Sequence, residues 1–60
     1  MSDFREGQKY VNALNTIVEI IAVDEFAGIE IIAYRNEGGY VHLREANEAN
    51  HWKLIEDADG

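Results

Sequence analysis

Two strand-like runs in the middle of this 60-residue chain are apolar at most positions of both alternating faces. They span residues 16–23 (TIVEIIAV) and 28–35 (GIEIIAYR), and isoleucine and valine dominate them, as strands prefer. Because successive side chains of a strand point to opposite faces, such runs do not suit a sheet that exposes one face to water. We therefore expect the second face to be covered, and in so short a chain we consider another protein as its cover.

Glycines and polar breaks divide the chain into a meander of short antiparallel strands. The predicted strands span 8–11, 16–23, 29–35, 40–44 and 51–55, with a hairpin loop at 24–28. A tight turn is expected at Gly38 and Gly39, since glycine readily adopts positive φ. Residues 45–50 are predicted to form one helical turn, with a helix over 43–55 as the alternative. The chain is expected to be one domain, 1–60, with loosely held ends at 1–7 and 57–60.

Pairing the strands outward from these turns assigns every side chain to one of two faces. A turn at Glu37-Gly38 places Arg35 opposite Tyr40, and pairing Val23 with Ile29 places Ile20 beside Ile32. The face predicted to form the core holds Val18, Ile20, Ile32, Tyr34, Val41 and Leu43. A register slip of one residue would exchange the two faces, so the assignment holds or fails as a unit.

The second face is half apolar and half charged, which is typical of a contact surface. Its members include Ile17 and His42. The predicted interface consists of Ile21, Ile31, Ala33 and Tyr40, with Glu19, Arg35 and Arg44 as charged residues that fix the register. The alternative is that the N-terminal arm with Phe4, or a helix at 43–50, folds across this face.

The length of the chain favours self-association. A 60-residue domain buries only about 60% of the surface that its unfolded chain exposes, and it is marginally stable alone. Small domains usually gain stability from disulfides, a metal or a partner chain, and this chain has no cysteine. We therefore predict a protein–protein interaction module that forms a homodimer or binds another protein.

The charge of the chain disfavours nucleic acid and anionic membrane. Twelve acidic and five basic residues give a formal net charge of −7, whereas phosphate binding depends on Lys and Arg. A nucleic-acid-associated regulator or accessory protein remains the alternative function, using Lys9, Arg35, Arg44 and Lys53 with Tyr40. Few lysines and many acids are also expected of a halophilic protein from a salt-rich cytoplasm, where screening would weaken this argument.

The sequence lacks the patterns of membrane insertion and export. No run approaches the roughly 18 apolar residues of a membrane span. The first residues show no basic segment followed by an apolar one, as a signal peptide would. We therefore expect a cytoplasmic protein without a membrane partner.

Candidate catalytic and metal-binding residues are few, so we predict a protein that is not an enzyme and has no cofactor or metal. His42 and His51 lack the spacing of a metal motif such as HExxH. A helical 45–51 would bring Glu45, Glu48 and His51 to one side, but a solvated acidic face produces the same spacing. Gly38 and Gly39 lack the further glycines of a phosphate-binding loop.

Four aromatic residues offer a possible platform for a base, a proline or a methylated cation. They are Tyr10, Tyr34, Tyr40 and Trp52. Packing within the core and across strands explains them more simply, except for Tyr40, which the register places on the second face.

The layout of the elements resembles an SH3-like small β-barrel over residues 6–56. The resemblance rests on a short first strand near 7–10, three meandering strands with a turn at Gly38-Gly39, one helical turn at 45–50 and a last strand near 52–55. It implies a small barrel or a strongly bent meander of about five strands. Relatives such as Tudor-type and ribosomal SH3-like domains bind peptides, methylated side chains or RNA, and the resemblance selects none of these functions.

Overall fold

The computed structural model describes residues 4–58, which form a single antiparallel sheet of five strands. The elements are β1 (Lys9–Val11), β2 (Ile17–Phe26), β3 (Ile29–Arg35), β4 (Val41–Glu45), a 3₁₀ turn (Ala46–Ala49) and β5 (Lys53–Glu56). The order across the sheet is β4-β3-β2-β1-β5, so β4 and β5 are its edges. The predicted all-β meander with one helical turn is confirmed, and the alternative of a helix over 43–55 is wrong.

The hairpin between β2 and β3 is tighter than the sequence predicted. β2 continues to Phe26, which pairs with Ile29, and the connection is only Ala27-Gly28. Both connecting residues have positive φ, 55° and 80°, the pattern of a type I′ turn. The predicted loop at 24–28 and the pairing of Val23 with Ile29 are therefore wrong.

A β-bulge at Ile21 changes the alternation of β2. Ile20 pairs with Tyr34 and Ala22 with Ala33, so two steps along β2 match one step along β3 and Ile21 is the extra residue. The insertion compensates for the odd spacing between Ile20 and Val23, which both lie on the core side. The predicted pairing of Ile20 with Ile32 is wrong, but their predicted shared face is correct.

The loop between β3 and β4 is longer than the predicted two-residue turn, and this reverses the faces of β4. The Asn36 side-chain Oδ1 accepts hydrogen bonds from the backbone N–H groups of Gly38 and Tyr40, at 2.9 and 3.1 Å. This network closes a loop over 36–40, so Arg35 pairs with Val41 rather than Tyr40. All of β4 is shifted by one residue relative to the prediction.

The core lies on one side of the sheet and contains four of the six residues predicted for it. Its buried apolar residues are Tyr10, Val18, Ile20, Ile32, Tyr34, Ala46 and Ala49, with Phe4, Val23 and Trp52 packed against them. The prediction that Val41 and Leu43 belong to the core is wrong, because the longer loop turns both outward.

Phe4 contributes to the core although the sequence suggested a loosely held arm. Its ring centroid lies 5.0 Å from that of Tyr10 and 6.4 Å from that of Trp52. Trp52 in turn packs edge-on against Tyr34, with the ring centroids 4.9 Å apart. The aromatic residues thus join the N-terminal segment to the segment that follows the 3₁₀ turn. Residues 1–3 and 59–60 of the predicted loose ends lie outside the described residues.

Gln8 is a buried polar residue that joins both ends of the described chain. Its Oε1 accepts hydrogen bonds from the backbone N–H of Arg5 (2.6 Å) and the hydroxyl of Tyr10 (3.0 Å). Its Nε2 donates to Oδ1 of Asp57 at 2.9 Å. Its backbone carbonyl accepts from the N–H of Ile20 at 2.8 Å. Because these groups satisfy the amide, its burial does not leave a polar atom without a partner.

We expect Ala27→Asn to stabilise the protein by about 0.5–1 kcal/mol, because alanine is strained at positive φ whereas asparagine tolerates it. Chemical denaturation of the two proteins measures the difference. Ala13→Asn is a matched control, since Ala13 is also exposed in a turn but lacks positive φ. A gain at Ala13 equal to that at Ala27 would contradict the explanation.

Asp57 should make stability depend on pH in the acidic range. Its pKa lies below the usual 3.8, chiefly because the carboxylate accepts the hydrogen bond from Gln8 and also one from the N–H of Ala58. A lowered pKa stabilises the fold above the unfolded value and loses that contribution as pH falls through the folded value. Wild type should therefore gain stability relative to Asp57→Asn as pH rises from acid to neutral. Denaturant titrations across this range test it, and equal pH profiles would contradict it.

Candidate interaction surface

The side of the sheet that faces away from the core presents a ladder of paired residues from β2, β3 and β4. One rung is Glu19–Arg35–Val41, the next Ala22–Ala33–Leu43, the next Asp24–Ile31–Glu45, and the last Phe26–Ile29. We call these eleven residues, together with Ile17, the outer face. The composition of the face follows from the bulge in β2 and from the long loop before β4.

Exposed apolar side chains concentrate on the outer face. Five of the nine large hydrophobic residues that are exposed lie there: Ile17, Phe26, Ile29, Val41 and Leu43. Phe26 and Leu43 are 77% and 73% exposed, which is high for side chains of this size. Isolated exposed apolar residues are ordinary, whereas a contiguous set of them is a typical feature of surfaces that contact another molecule.

A shallow hollow of about 350 Å³ lies within the outer face. Ala22 and Ala33 pair with each other across the strands and belong to its lining, and so do the larger side chains of Phe26, Ile31 and Leu43. Asp24 is the charged residue of the lining. The small residues beside the larger ones create this depression.

Neither segment that the sequence offered as a cover lies on the outer face. Phe4 packs against Tyr10 and Trp52 on the core side. The 3₁₀ turn buries Ala46 and Ala49 in the same core. Within residues 4–58, the outer face is therefore left open to solvent or to a partner.

The charged residues predicted for the interface separate into two groups. Arg35 Nη2 lies 3.2 Å from Glu19 Oε1 across the paired strands of the outer face, the face on which both were predicted. Arg44 lies on the opposite side of the sheet, because β4 is shifted by one residue. There its Nε donates to the Tyr34 hydroxyl at 3.4 Å, and this hydrogen bond is the largest cause that raises the pKa of Arg44.

The apolar residues predicted for the interface also divide. Ile31 and Ala33 line the hollow, whereas Ile21 is the partly buried extra residue of the bulge. Tyr40 is exposed in the loop 36–40, beyond the ladder of paired residues.

Sequence reasoning missed four residues that line the hollow: Ala22, Asp24, Phe26 and Leu43. Ala22 escaped notice because the bulge at Ile21 leaves no clear pattern in an Ile-Ile-Ala run. A phenylalanine directly before Ala27-Gly28 was the available signal for Phe26, since apolar residues flank short hairpin turns.

The part of the chain that the structure describes has neither a cluster of metal-ligating side chains nor a helix that could span a membrane. No group of three or more His, Asp or Glu side chains in residues 4–58 converges as a metal site, so Glu45, Glu48 and His51 do not form the alternative cluster. None of the helical structure in the same range has the length and apolar character needed to cross a bilayer.

Comparison of the chain with protein-family models, with curated proteins and with solved structures gives no match. The resemblance to SH3-like barrels therefore rests on the layout of the elements alone. A fold does not determine a function, so the argument must come from the surfaces themselves.

Proposed function

We propose that this protein is a cytoplasmic, non-enzymatic protein–protein interaction module that self-associates through the outer face. The observation that carries the proposal is the contiguous apolar surface around Phe26 and Leu43, which no described segment covers. The charged pair of Glu19 and Arg35 lies at one end of this surface, as in interfaces that surround an apolar centre with polar residues.

The small size of the core supports a second copy as the occupant. Within residues 4–58 the core has seven buried apolar residues, and two of them are alanines. A standard interface buries about 800 Å² on each partner, which would be about a fifth of the 4429 Å² that this chain exposes. Each fully buried Leu or Phe contributes about 1.5–3 kcal/mol, so a dimer would add markedly to the stability of a small domain.

The shape of the outer face suggests how two copies fit together. Phe26 lines the hollow together with the small residues Ala22 and Ala33. In a two-fold dimer the same patch meets itself, so the Phe26 side chain of each copy can enter the hollow of the other. This arrangement would bury Phe26, the most exposed large side chain of the face, in the hollow.

The net charge of the chain opposes this dimer and gives it a characteristic salt dependence. Each copy carries a formal charge of −7, and Asp24 and Glu45 flank Ile31 on the outer face itself. Salt screens repulsion between such charges over distances beyond about 8 Å at physiological ionic strength. We therefore expect the dimer to tighten as the salt concentration rises.

The alternative of nucleic-acid binding receives less support from the geometry. Three of its four proposed cations lie near a glutamate, at 3.7 Å for Lys9, 3.2 Å for Arg35 and 3.9 Å for Arg44. Arg35 and Arg44 also lie on opposite sides of the sheet. The cations therefore do not form the continuous basic surface that phosphate contacts require.

Leu43→Glu should weaken the dimer by about a hundredfold or more, because each buried leucine contributes about 1.5–3 kcal/mol and a dimer contains two. Ile31→Glu should act in the same direction. Sedimentation velocity from low to high micromolar protein, in moderate and in molar salt, measures the change. Circular dichroism shows whether each variant folds.

Leu14→Glu is the matched control, since Leu14 is 83% exposed in the loop after β1 and lies off the outer face. It introduces the same charge and should leave the association unchanged. A wild type that is monomeric at high micromolar concentration in molar salt would overturn the proposal. Equal effects of Leu43→Glu and Leu14→Glu would also overturn it.

A further inference from the structure

A second hollow, of about 360 Å³, lies on the side of the sheet opposite the outer face. It opens between the loop 12–16, the inward side chains of β3 and β4, and the residues after the 3₁₀ turn. We call it the inner basin and use six of its lining residues in the argument: Asn12, Asn36, His42, Arg44, His51 and Trp52. A neighbouring hollow of about 340 Å³ shares Asn12, Ala13 and His51 with it and adds Lys53.

The inner basin differs in charge from the rest of the molecule. The chain carries twelve Asp and Glu residues, yet none of those within residues 4–58 lines the basin or its neighbour. Arg44, Lys53 and two histidines do line them. Glu48 lies outside this lining but close to it, 3.9 Å from Arg44 Nη1 in an exposed ion pair, whereas salt screens acids that lie beyond about 8 Å.

Hydrogen bonds hold the walls of the basin in place before any ligand arrives. Asn36 Oδ1 accepts from two backbone N–H groups, so the Nδ2 of the same amide faces His42 Nε2 at 3.2 Å. This makes Nε2 the acceptor of that bond. On the facing wall, Asn12 Oδ1 accepts from the N–H groups of Leu14 and Thr16, at 3.0 and 2.9 Å. A site that is already ordered loses less entropy on binding.

Aromatic rings form the floor of the basin. The Tyr34 ring stacks on His42 with the centroids 5.4 Å apart and the planes at 25°. Trp52 meets Tyr34 nearly at right angles, at 87°. Tyr34 is buried, so His42 and Trp52 offer the accessible ring surface.

Arg44 lies beside these rings, and its guanidinium has more N–H donors than its two contacts use. Its Nε bonds the Tyr34 hydroxyl, and its Nη1 lies 3.9 Å from Glu48 in an exposed pair. A guanidinium has five N–H donors, and an exposed ion pair contributes little, so an incoming anion can take its place.

We propose that the inner basin binds a small ligand that combines a planar ring with an anionic group, either a carboxylate or a phosphate. The ring packs against Trp52 and His42, and the anion receives hydrogen bonds from Arg44. The volume falls within the roughly 300–1,000 Å³ of small-molecule sites. The basin faces away from the outer face, so this binding is independent of self-association.

Trp52 gives a direct readout, because it is the single tryptophan of the chain and lines the basin. Its fluorescence is titrated with benzoate and with adenosine monophosphate, and in parallel with their neutral counterparts benzamide and adenosine. At least one anionic probe should bind saturably and about tenfold or more tightly than its neutral counterpart, since hydrogen bonds to charged groups are the stronger ones. Comparison of benzoate with adenosine monophosphate shows whether the basin prefers a carboxylate or a phosphate.

Failure of both anions to give a saturable change would overturn the proposal, and so would equal binding of the neutral counterparts. These comparisons use wild-type protein and do not depend on any variant folding. Chemical shifts of the Trp52 indole and the Asn36 side-chain amide locate the bound probe. Shifts confined to other parts of the sheet would also overturn the assignment.

Arg44→Gln should lower the affinity for the anionic probe about tenfold and leave the neutral one unchanged. Arg44→Lys should keep part of the preference. Arg35→Gln is the matched control, because Arg35 is a similarly exposed arginine paired with a glutamate on the opposite face. Equal effects of the two glutamine variants would contradict the proposal. Leu43→Glu should bind the probe as wild type does, which separates this test from that of the dimer.

Discussion

The extra residue Ile21 is the constraint on which both surfaces of the sheet depend. β2 is ten residues long, and strict alternation would place Ile20 and Val23 on opposite sides. The bulge allows both to face the core, and in consequence it places Ala22, Asp24 and Phe26 on the outer face. Deleting this one residue would turn the second half of the strand over, exposing Val23 and burying an aspartate.

The class of fold and the centre of the core could be predicted from the sequence, because β-branched runs and glycine-containing turns are local signals. Val18, Ile20, Ile32 and Tyr34 were found for this reason. Val41 and Leu43 were misplaced because a side chain, the amide of Asn36, sets the length of the loop before β4. Phe26 was missed because alanine occupies a positive-φ position that usually holds asparagine or glycine. The length of this loop and the conformation of this turn depend on contacts and backbone angles that the residue types alone do not indicate.

The two sides of one thin sheet differ in chemistry, and the distribution of charge separates them. On the outer face, apolar side chains dominate and the arginine is paired with a glutamate. On the inner side, the basin gathers imidazole, guanidinium and aromatic rings in an otherwise acidic protein. Successive residues of β4 point to opposite sides of the sheet, which explains why Arg44 lines the inner basin and Leu43 lines the hollow of the outer face.

The hydrogen bonds of Gln8 also bear on the order in which the protein folds. The hairpins of β2, β3 and β4 join residues that are close in the chain, whereas the pairing of Tyr10 with Leu54 closes almost its whole length into a loop. Loop-closure entropy makes such distant pairing the slower event. Gln8 reaches Asp57 across the same closure, so we expect this hydrogen bond to form after the hairpins.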